Sequence, residues 1–279
     1  MTPENQTKFT PVEDYRDTFA KQGYLVFESF LAREKINEIA DDLNWLVETQ
    51  LAENTLEPAR DISDPVQRLS RNLVTLHASR PEAQGWIYDE VNRRPLMYTL
   101  ASSPELLDKA GSLLSGRIAI HPRMNMVMSM PHDEWHTAVW HQDRFYGPAN
   151  HLIAYIPLQK SSIQNGGLTI APGSHKNGIL EHKKNQQHKI NSKWITIDED
   201  VVANFPDTID LILNPGDLLL FDGYLPHSAN VNQSDDVRFA ITIRYSDLSD
   251  PFFIKRGWVW QDLAEEGLAA LQSRKQGST

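Results

Sequence analysis

The chain contains no cysteine, and this absence excludes two kinds of structure at once. Disulfide bonds cannot form, and no metal ion can be held by thiolate ligands. Any metal site in these 279 residues must therefore use imidazole nitrogens or oxygen ligands.

Long apolar runs and basic clusters are also missing. No segment approaches the roughly 18 consecutive apolar residues that a membrane helix needs, so no membrane partner is expected. The 37 acidic residues outnumber the 27 basic ones, and no basic cluster carries interleaved aromatic residues, which disfavours a nucleic-acid partner. The first residues lack the basic and apolar regions of a signal peptide, so we expect a cytoplasmic protein. The oligomeric state is left open.

The first third of the sequence is helical in character. Helical spacing of apolar residues predicts helices at 12–22, 31–51, about 82–93 and about 104–114, with a short strand in 23–30. The polar residues 52–81, which hold three arginines, are predicted to form a long loop or a weak helix. Together these segments make a helical region of about 1–115.

After Gly116 the sequence changes to short β-like runs separated by Gly, Pro, Asn and Asp. Many short strands of this kind predict a sandwich, jelly roll or barrel. We assign the core to about 116–246 and a C-terminal extension to 247–279, all within one domain over 1–279. The polar stretch 172–208 is long for a connection inside a domain and is predicted to act as a lid or a binding segment.

A His-x-Asp pair lies in the run "AVWHQDRFYG" (138–147). Residues i and i+2 of a strand point to the same face, about 6.5–7 Å apart, so His141 and Asp143 project together. Two ligands alone are a weak signal for metal, and by itself the pair favours a half-buried strand whose polar residues face water. A third ligand is needed to decide between the two.

The third ligand is found in "NPGDLLLFDGYLPHSANVNQSDDVRFAITIRY" (214–245). His227 follows a turn and a short apolar strand, and a jelly roll places sequence-distant strands side by side. Two imidazoles and one carboxylate on one side of a metal are the facial arrangement of non-haem Fe(II) oxygenases. His141, Asp143 and His227 are therefore the candidate metal-binding and catalytic residues.

Two arginines lie on the strand that follows. In "VRFAITIRY" Arg238 and Arg244 alternate with apolar residues and share one face. Arg238 lies 11 residues after His227, where its guanidinium is placed to bind a carboxylate in bidentate fashion. Arg244 is about 20 Å further along an extended strand, so we expect it at the rim rather than in the same small site.

A second histidine pair in "HDEWH" (132–136) superficially suggests a zinc protease. The acid after the first histidine is Asp133, whereas the protease motif is H-E-x-x-H on a helix. The segment also lies between two β-like runs, so we reject this interpretation.

Three motifs resemble one enzyme family: "WHQD", "NGGLTIAPGSHK" and "PGDLLLFDGYLPHSANVNQSDDVR". Together with the opening "KQGYLVFESFLAREKINEIADDL", they resemble the phytanoyl-CoA dioxygenase-like (PhyH-like) Fe(II)/2-oxoglutarate oxygenases, from about residue 12 to about 246. The resemblance implies a mainly β fold with flanking helices and a double-stranded β-helix (jelly-roll, cupin-like) core. It also implies Fe(II), 2-oxoglutarate and O2 as cofactor and co-substrates.

The resemblance further implies roles for individual residues. Iron is expected at His141, Asp143 and His227, with the distal carboxylate of 2-oxoglutarate at Arg238. This chain departs from the family in one place, because Ser228-Ala229 stands where Gly-Ser is common, and the hydroxyl expected at 229 is missing. Further candidates for co-substrate contact are Gln142, Asn125, Thr169 and Ser228, and Tyr146 is the candidate for substrate contact.

The resulting hypothesis is a dioxygenase that hydroxylates or otherwise oxidises an unactivated C–H bond of a small-molecule metabolite. Asp143 disfavours a halogenase, because a halide needs the coordination position that a carboxylate fills. Two alternatives stay open: a cupin-like metal-dependent hydrolase or isomerase, and a non-catalytic jelly-roll module that binds a metabolite. Arg238 argues against the first alternative, because a metal-dependent hydrolase has no need for a residue that binds a second carboxylate. Oxygen consumption distinguishes a dioxygenase from the second alternative, the non-catalytic module.

Overall fold

The structure is a computed structural model that describes residues 15–114, 117–121, 124–143, 151–184 and 195–251. Its helical part begins with α1 (Tyr15–Gln22), β1 (Tyr24–Phe27) and α2 (Arg33–Glu53). Four more helices follow: α3 (Pro65–Ser79), α4 (Ala83–Val91), α5 (Pro95–Ala101) and α6 (Pro104–Leu113). The helices expected near 12–22, 31–51, 82–93 and 104–114 are present where the chain is described, and α5 was not predicted.

The structure corrects the expectation for residues 52–81, which contain the well-formed helix α3. The Asp64 side chain caps its N-terminus by accepting hydrogen bonds from two backbone N–H groups, and Pro65 occupies the first helical position. Its buried apolar residues recur at helical spacing: Val66, Leu69, Leu73 and Leu76. The polar residues that suggested a loop belong to its opposite face, for example Arg68, which pairs with Asp41.

The remainder of the described chain is mostly β-structure. Its strands are β2 (Ile118–Ile120), β3 (Asn125–Ser129), β4 (His151–Pro157), β5 (Leu168–Ile170), β6 (His182–Lys184), β7 (Ile195–Ile197), β8 (Ile209–Asp210), β9 (Leu218–Asp222), β10 (His227–Ala229) and β11 (Arg238–Asp247), with the short helix α7 (Glu199–Val202) after β7. One sheet has the order β1-β9-β4-β11-β2, with β3 also paired to β11, and a second has the order β10-β5-β8. All of these pairings are antiparallel.

The larger sheet is buried on both faces, which explains why β4 and β9 are almost continuously apolar. Its outer face packs against the helical layer through residues such as Ala154, Leu220 and Ile241. Its inner face packs against the smaller sheet through residues such as Tyr155, Phe221 and Ile170. The chain is thus a β-sandwich with a helical cover, and the predicted mainly β, jelly-roll class is confirmed.

The Pro-Gly-Asp turn that precedes β9 also attaches the sheet to the helical part. Gly216 has a φ of 80°, and a Cβ there would lie 2.2 Å from the carbonyl oxygen of Leu31. The buried Asp217 carboxylate accepts hydrogen bonds from the backbone N–H groups of Ser29 and Asn214, at 2.8 and 2.7 Å. The turn therefore requires this glycine and this aspartate.

The described parts of 172–208 are structured. They contain a 3-10 helix at Ser174–Asn177 and the antiparallel pair β6–β7. The backbone N–H of Ile197 donates to the carbonyl of Trp140 at 2.8 Å, directly before the His-x-Asp pair. The segment is thus attached to the chain directly before His141, and its action as a lid stays a prediction.

Within the described ranges, every helix is either too short or too polar to cross a bilayer.

Candidate active site

The candidate metal ligands lie where the two chain segments that carry them meet. His141 forms an antiparallel bridge with His227, and their backbones exchange two hydrogen bonds of 2.9 and 3.1 Å. The two rings lie with centroids 4.2 Å apart. Because Asp143 follows two residues after His141, it projects to the same side. One ligand atom from each of His141, Asp143 and His227 lies within 4.8 Å of the others, and all three residues are buried.

Backbone carbonyls orient both imidazoles. The Nδ1 atom of His141 lies 2.7 Å from the carbonyl oxygen of Val139, and that of His227 lies 3.0 Å from the carbonyl oxygen of Leu225. A carbonyl only accepts, so each Nδ1 carries the proton and each Nε2 keeps its lone pair for a metal. In this tautomer Nε2 is free to bind a divalent metal ion.

The electrostatics of the three residues also suit a divalent cation. Burial, followed by the neighbouring His141, lowers the pKa of His227 to about 4, so its imidazole is neutral at neutral pH. Burial by itself would raise the pKa of Asp143, but the charge of Arg244 and then the nearby imidazoles lower it below its ordinary value. Two imidazoles and one carboxylate are the donor set that fits Fe(II).

Arg238 lies at the start of β11, is 1% exposed and faces the interior of the sandwich. Its guanidinium donates to the Tyr155 hydroxyl through Nη1, to the Gly166 carbonyl at 2.7 Å through Nη2, and to the Asn165 carbonyl at 3.2 Å through Nε. All three partners are neutral, and no carboxylate of the described residues forms an ion pair with it. A buried cation of this kind is suited to receive the carboxylate of a ligand.

The structure corrects the expectation that Arg244 lies at the rim. Its side chain is 13% exposed, and Nη2 lies 3.4 Å from Oδ2 of Asp143. The sequence argument assumed that the site is centred on Arg238. Instead, the metal ligands lie near the Arg244 end of β11, so the two arginines flank one elongated site.

Asn125 lies beside Arg244. Its register partner on β11 is Thr242, so it faces the same interior. With its amide oriented by its hydrogen-bond partners, its oxygen accepts from Nη1 of Arg244 at 3.1 Å and from the Tyr88 hydroxyl at 3.1 Å. Asn125 therefore belongs to the site, and its contact with co-substrate stays a prediction.

The structure does not bring Thr169 and Ser228 to the metal ligands. The two residues are cross-strand partners between β5 and β10, flanked by the pairs His227–Ile170 and Ala229–Leu168, which face the interior. Alternation along a strand therefore turns both hydroxyls to the outer face, where Thr169 donates to the Asp210 carboxylate. Position 229, where the resembled family often has a hydroxyl, faces inward as alanine.

Gln142 is 1% exposed, and its amide is satisfied by backbone groups. Nε2 donates to the carbonyls of Gly178 and Tyr224 at 2.8 and 2.6 Å, and Oε1 accepts from the N–H of Leu180 at 3.0 Å. Gln142 thus connects the segment that carries His141 and Asp143 to two loops, one at residues 178–180 and one at Tyr224. The sequence analysis did not predict this role. Contact of Gln142 with co-substrate stays a prediction. Tyr146 lies outside the described residues.

The sequence of the chain is also similar to that of known proteins. Residues 19–240 match the Phytanoyl-CoA dioxygenase (PhyH) family. The chain belongs to the phytanoyl-CoA dioxygenase family. The resemblance read from its motifs is thereby confirmed, and with it the enzyme class, an Fe(II)/2-oxoglutarate-dependent dioxygenase that acts on small molecules.

Individual members of the family are distant from this chain. It is 24% identical to the methylphosphonate hydroxylase of Gimesia maris, over 86% of this chain and 83% of the relative. It is 23% identical to the ectoine dioxygenase of Sphingopyxis alaskensis, over 87% of this chain and 79% of the relative. The crystal structure of EctD from S. alaskensis with bound Fe superposes with a TM-score of 0.57 at 19% identity, covering 92% of this chain and 89% of EctD. This structural likeness supports the double-stranded β-helix fold.

Proposed function

We propose that His141, Asp143 and His227 bind Fe(II), that Arg238 binds the distal carboxylate of 2-oxoglutarate, and that this PhyH-family enzyme hydroxylates a C–H bond of a small metabolite. One observation carries the assignment of roles. Three metal-binding side chains and a buried arginine with only neutral described partners face the same interior of the sandwich. A carboxylate of a metal-bound ligand would neutralise that arginine.

The register of the sheet gives each residue a position along the site. Phe221, whose ring lies 4.9 Å from that of His227, pairs with Ile153, which in turn pairs with Arg244. The metal ligands are therefore level with the Arg244 end of β11. The 2-oxoglutarate site extends from there toward Arg238, past Thr242 and Ala240.

When bound, Fe(II) and 2-oxoglutarate supply the oxidising chemistry: O2 is consumed, 2-oxoglutarate becomes succinate and CO2, and one oxygen atom enters the substrate C–H bond. The residues of the chain hold and orient these reactants. The Nδ1 contacts to Val139 and Leu225 fix both imidazole planes, and Arg244 lies against one oxygen of Asp143. The other oxygen of Asp143 faces His141, at 3.8 Å from its Nε2, and is the one placed to bind iron.

The relatives support a small-molecule substrate, since they include a methylphosphonate hydroxylase and an ectoine dioxygenase. We extend only this general class to the present enzyme. A cytoplasmic location and the absence of a nucleic-acid partner stay predictions from the sequence.

The test compares variants of Asp143 for iron content and for succinate formation. The anaerobic wild-type enzyme should bind about one Fe(II) per chain and develop a visible charge-transfer band when 2-oxoglutarate is added. Asp143→Ala removes the anionic ligand and should weaken iron binding and abolish succinate formation, because two neutral imidazoles hold Fe(II) poorly. Asp143→Glu keeps the charge on a longer arm and should retain some iron with little turnover.

A matched control uses an acidic residue away from the site. Asp41 is 54% exposed on α2, and Asp41→Ala should leave iron and succinate unchanged. Full succinate formation by Asp143→Ala would remove the metal ligands from this proposal. Iron binding without any response to 2-oxoglutarate would instead favour a metal-dependent hydrolase or isomerase.

A further inference from the structure

Arg244 is a second, largely buried cation in the candidate active site, and its position differs from that of Arg238. It pairs with Ile153, which pairs with Phe221, and the ring of Phe221 contacts that of His227. Arg244 is therefore level with the metal ligands. Arg238 lies six residues earlier on the same strand, and its guanidinium reaches the hydroxyl of Tyr155, whose register partner is Thr242, so the proposed function gives the far carboxylate of 2-oxoglutarate to Arg238.

The Arg244 guanidinium is held in place rather than extended into solvent. Asn125 accepts from its Nη1 at 3.1 Å, and the same amide oxygen accepts from the Tyr88 hydroxyl. An arginine whose planar group is fixed in advance loses little further freedom on binding a ligand. This support from β3 and α4 preorganises a cation beside the reacting centre.

The carboxylate that faces Arg244 is also a metal ligand. In the metal-free protein the charge of Asp143 is available to Arg244, whose Nη2 lies 3.4 Å from Oδ2. A divalent cation bound to Asp143 draws that negative charge to itself and adds positive charge nearby. Metal binding therefore raises the positive potential at Arg244 and favours an anion there.

We propose that Arg244 recognises an oxyanion group, a carboxylate or a phosphonate, on the primary substrate. This inference rests on the proposed function, since it places the substrate beside bound iron. Both kinds of oxyanion offer two oxygens with the spacing that a guanidinium fork binds. Recognition at this point would hold the neighbouring carbon atoms of the substrate close to the metal.

The experiment measures binding of three probes of similar length: hexanoate, hexylphosphonate and hexanamide. Each is titrated by calorimetry into the anaerobic enzyme loaded with Fe(II) and saturating 2-oxoglutarate. We expect at least one oxyanion to bind tenfold or more tightly than hexanamide, which corresponds to about 1.4 kcal/mol. The two oxyanions separate a carboxylate from a phosphonate substrate.

Variants assign the preference to one side chain. Arg244→Met should reduce it below about twofold, and Arg244→Lys should retain part of it because the charge remains. The control Arg93→Met changes an arginine that is 74% exposed and should bind the probes like the wild type. In the metal-free wild-type protein the preference should be weaker, because Asp143 then keeps its full charge.

Three results would overturn the inference: equal binding of amide and oxyanions by the wild type, no measurable oxyanion binding, or a preference that survives in Arg244→Met. Loss of the charge-transfer band on adding hexanoate would also overturn it, because the probe would then be displacing 2-oxoglutarate. The first two of these results are measured on the wild-type protein alone and do not depend on the stability of a variant. Failure to form the band before any probe is added would refute the proposed function instead.

Discussion

Replacing Arg238 by methionine tests the co-substrate site. The native guanidinium is 1% exposed and donates to Tyr155, Gly166 and Asn165. A guanidinium has five N–H groups, and these contacts use three of them, which leaves two for a bidentate carboxylate. Arg238→Met keeps much of the side-chain volume and removes both the charge and the fork.

The size of the effect follows from burial. Truncating one partner of a desolvated, hydrogen-bonded charge pair costs about 2–5 kcal/mol. At about 1.4 kcal/mol per decade, the dissociation constant of 2-oxoglutarate should rise about 30-fold to several thousand-fold. Iron binding should persist, because Arg238 makes no described contact with the three metal ligands.

The assay titrates 2-oxoglutarate into the anaerobic Fe(II) enzyme and follows the charge-transfer band. Iron stoichiometry and circular dichroism, measured on the same samples, separate loss of the clamp from unfolding. Tyr155→Phe removes one neutral partner of Arg238 and should weaken 2-oxoglutarate binding less than Arg238→Met does. The reasoning would be refuted by a change below threefold in Arg238→Met, or by loss of iron together with 2-oxoglutarate.

Two further predictions concern stability. Gln142→Ala removes three hydrogen bonds of a buried side chain and should lower the free energy of unfolding, measured in urea, by about 2–4 kcal/mol while iron is retained. The exposed control Gln67→Ala should change the free energy of unfolding little. An unchanged urea midpoint in Gln142→Ala would contradict the role of Gln142 as a connector. Burial raises the pKa of Asp222 from 3.8 to about 6, against the opposing hydrogen bond from the Tyr224 N–H. The folded state favours the protonated form of Asp222. The contribution of this group to the free energy of unfolding is therefore complete below about pH 4 and is lost as the pH rises through about 6, a change of up to about 3 kcal/mol. Asp222→Asn should flatten this part of the stability-versus-pH curve, and an equally steep curve in the variant would show that another group titrates.

The cluster of His141, Asp143 and His227, the proposed metal ligands, could be predicted from sequence because its signal is local. A His-x-Asp pair on a strand projects to one side whatever the strand's neighbours are, and a histidine after a Pro-Gly-Asp turn and an apolar strand completes the set. The alternation of side chains along a strand likewise predicted that Arg238 and Arg244 of β11 share a face. None of these inferences required the register between strands.

The errors arose where register or tertiary burial decides. The level of the metal along β11 depends on the pairing of Phe221, Ile153 and Arg244, which no local pattern reports. The outward direction of Thr169 and Ser228 depends on which residues of β5 and β10 face the core. In α3, the apolar positions are diluted by charged ones, and only packing against α2 shows that they are buried. The amide contacts of Gln142 join segments far apart in sequence and carry no motif.

The helical cover of the larger sheet has a practical consequence for dividing this enzyme. The outer face of β4, β9 and β11 is apolar except near the strand ends at Asp222 and Asp247, and helices α2 to α6 shield it from water. The Ser70 hydroxyl of α3 also accepts a hydrogen bond of 2.9 Å from the backbone N–H of Val237, the residue directly before Arg238. A fragment restricted to the strand-rich part would expose a broad apolar surface of the kind that drives aggregation. It would also release the start of the strand that carries Arg238. The catalytic core and its helical cover should therefore be expressed, evolved and transplanted as one piece.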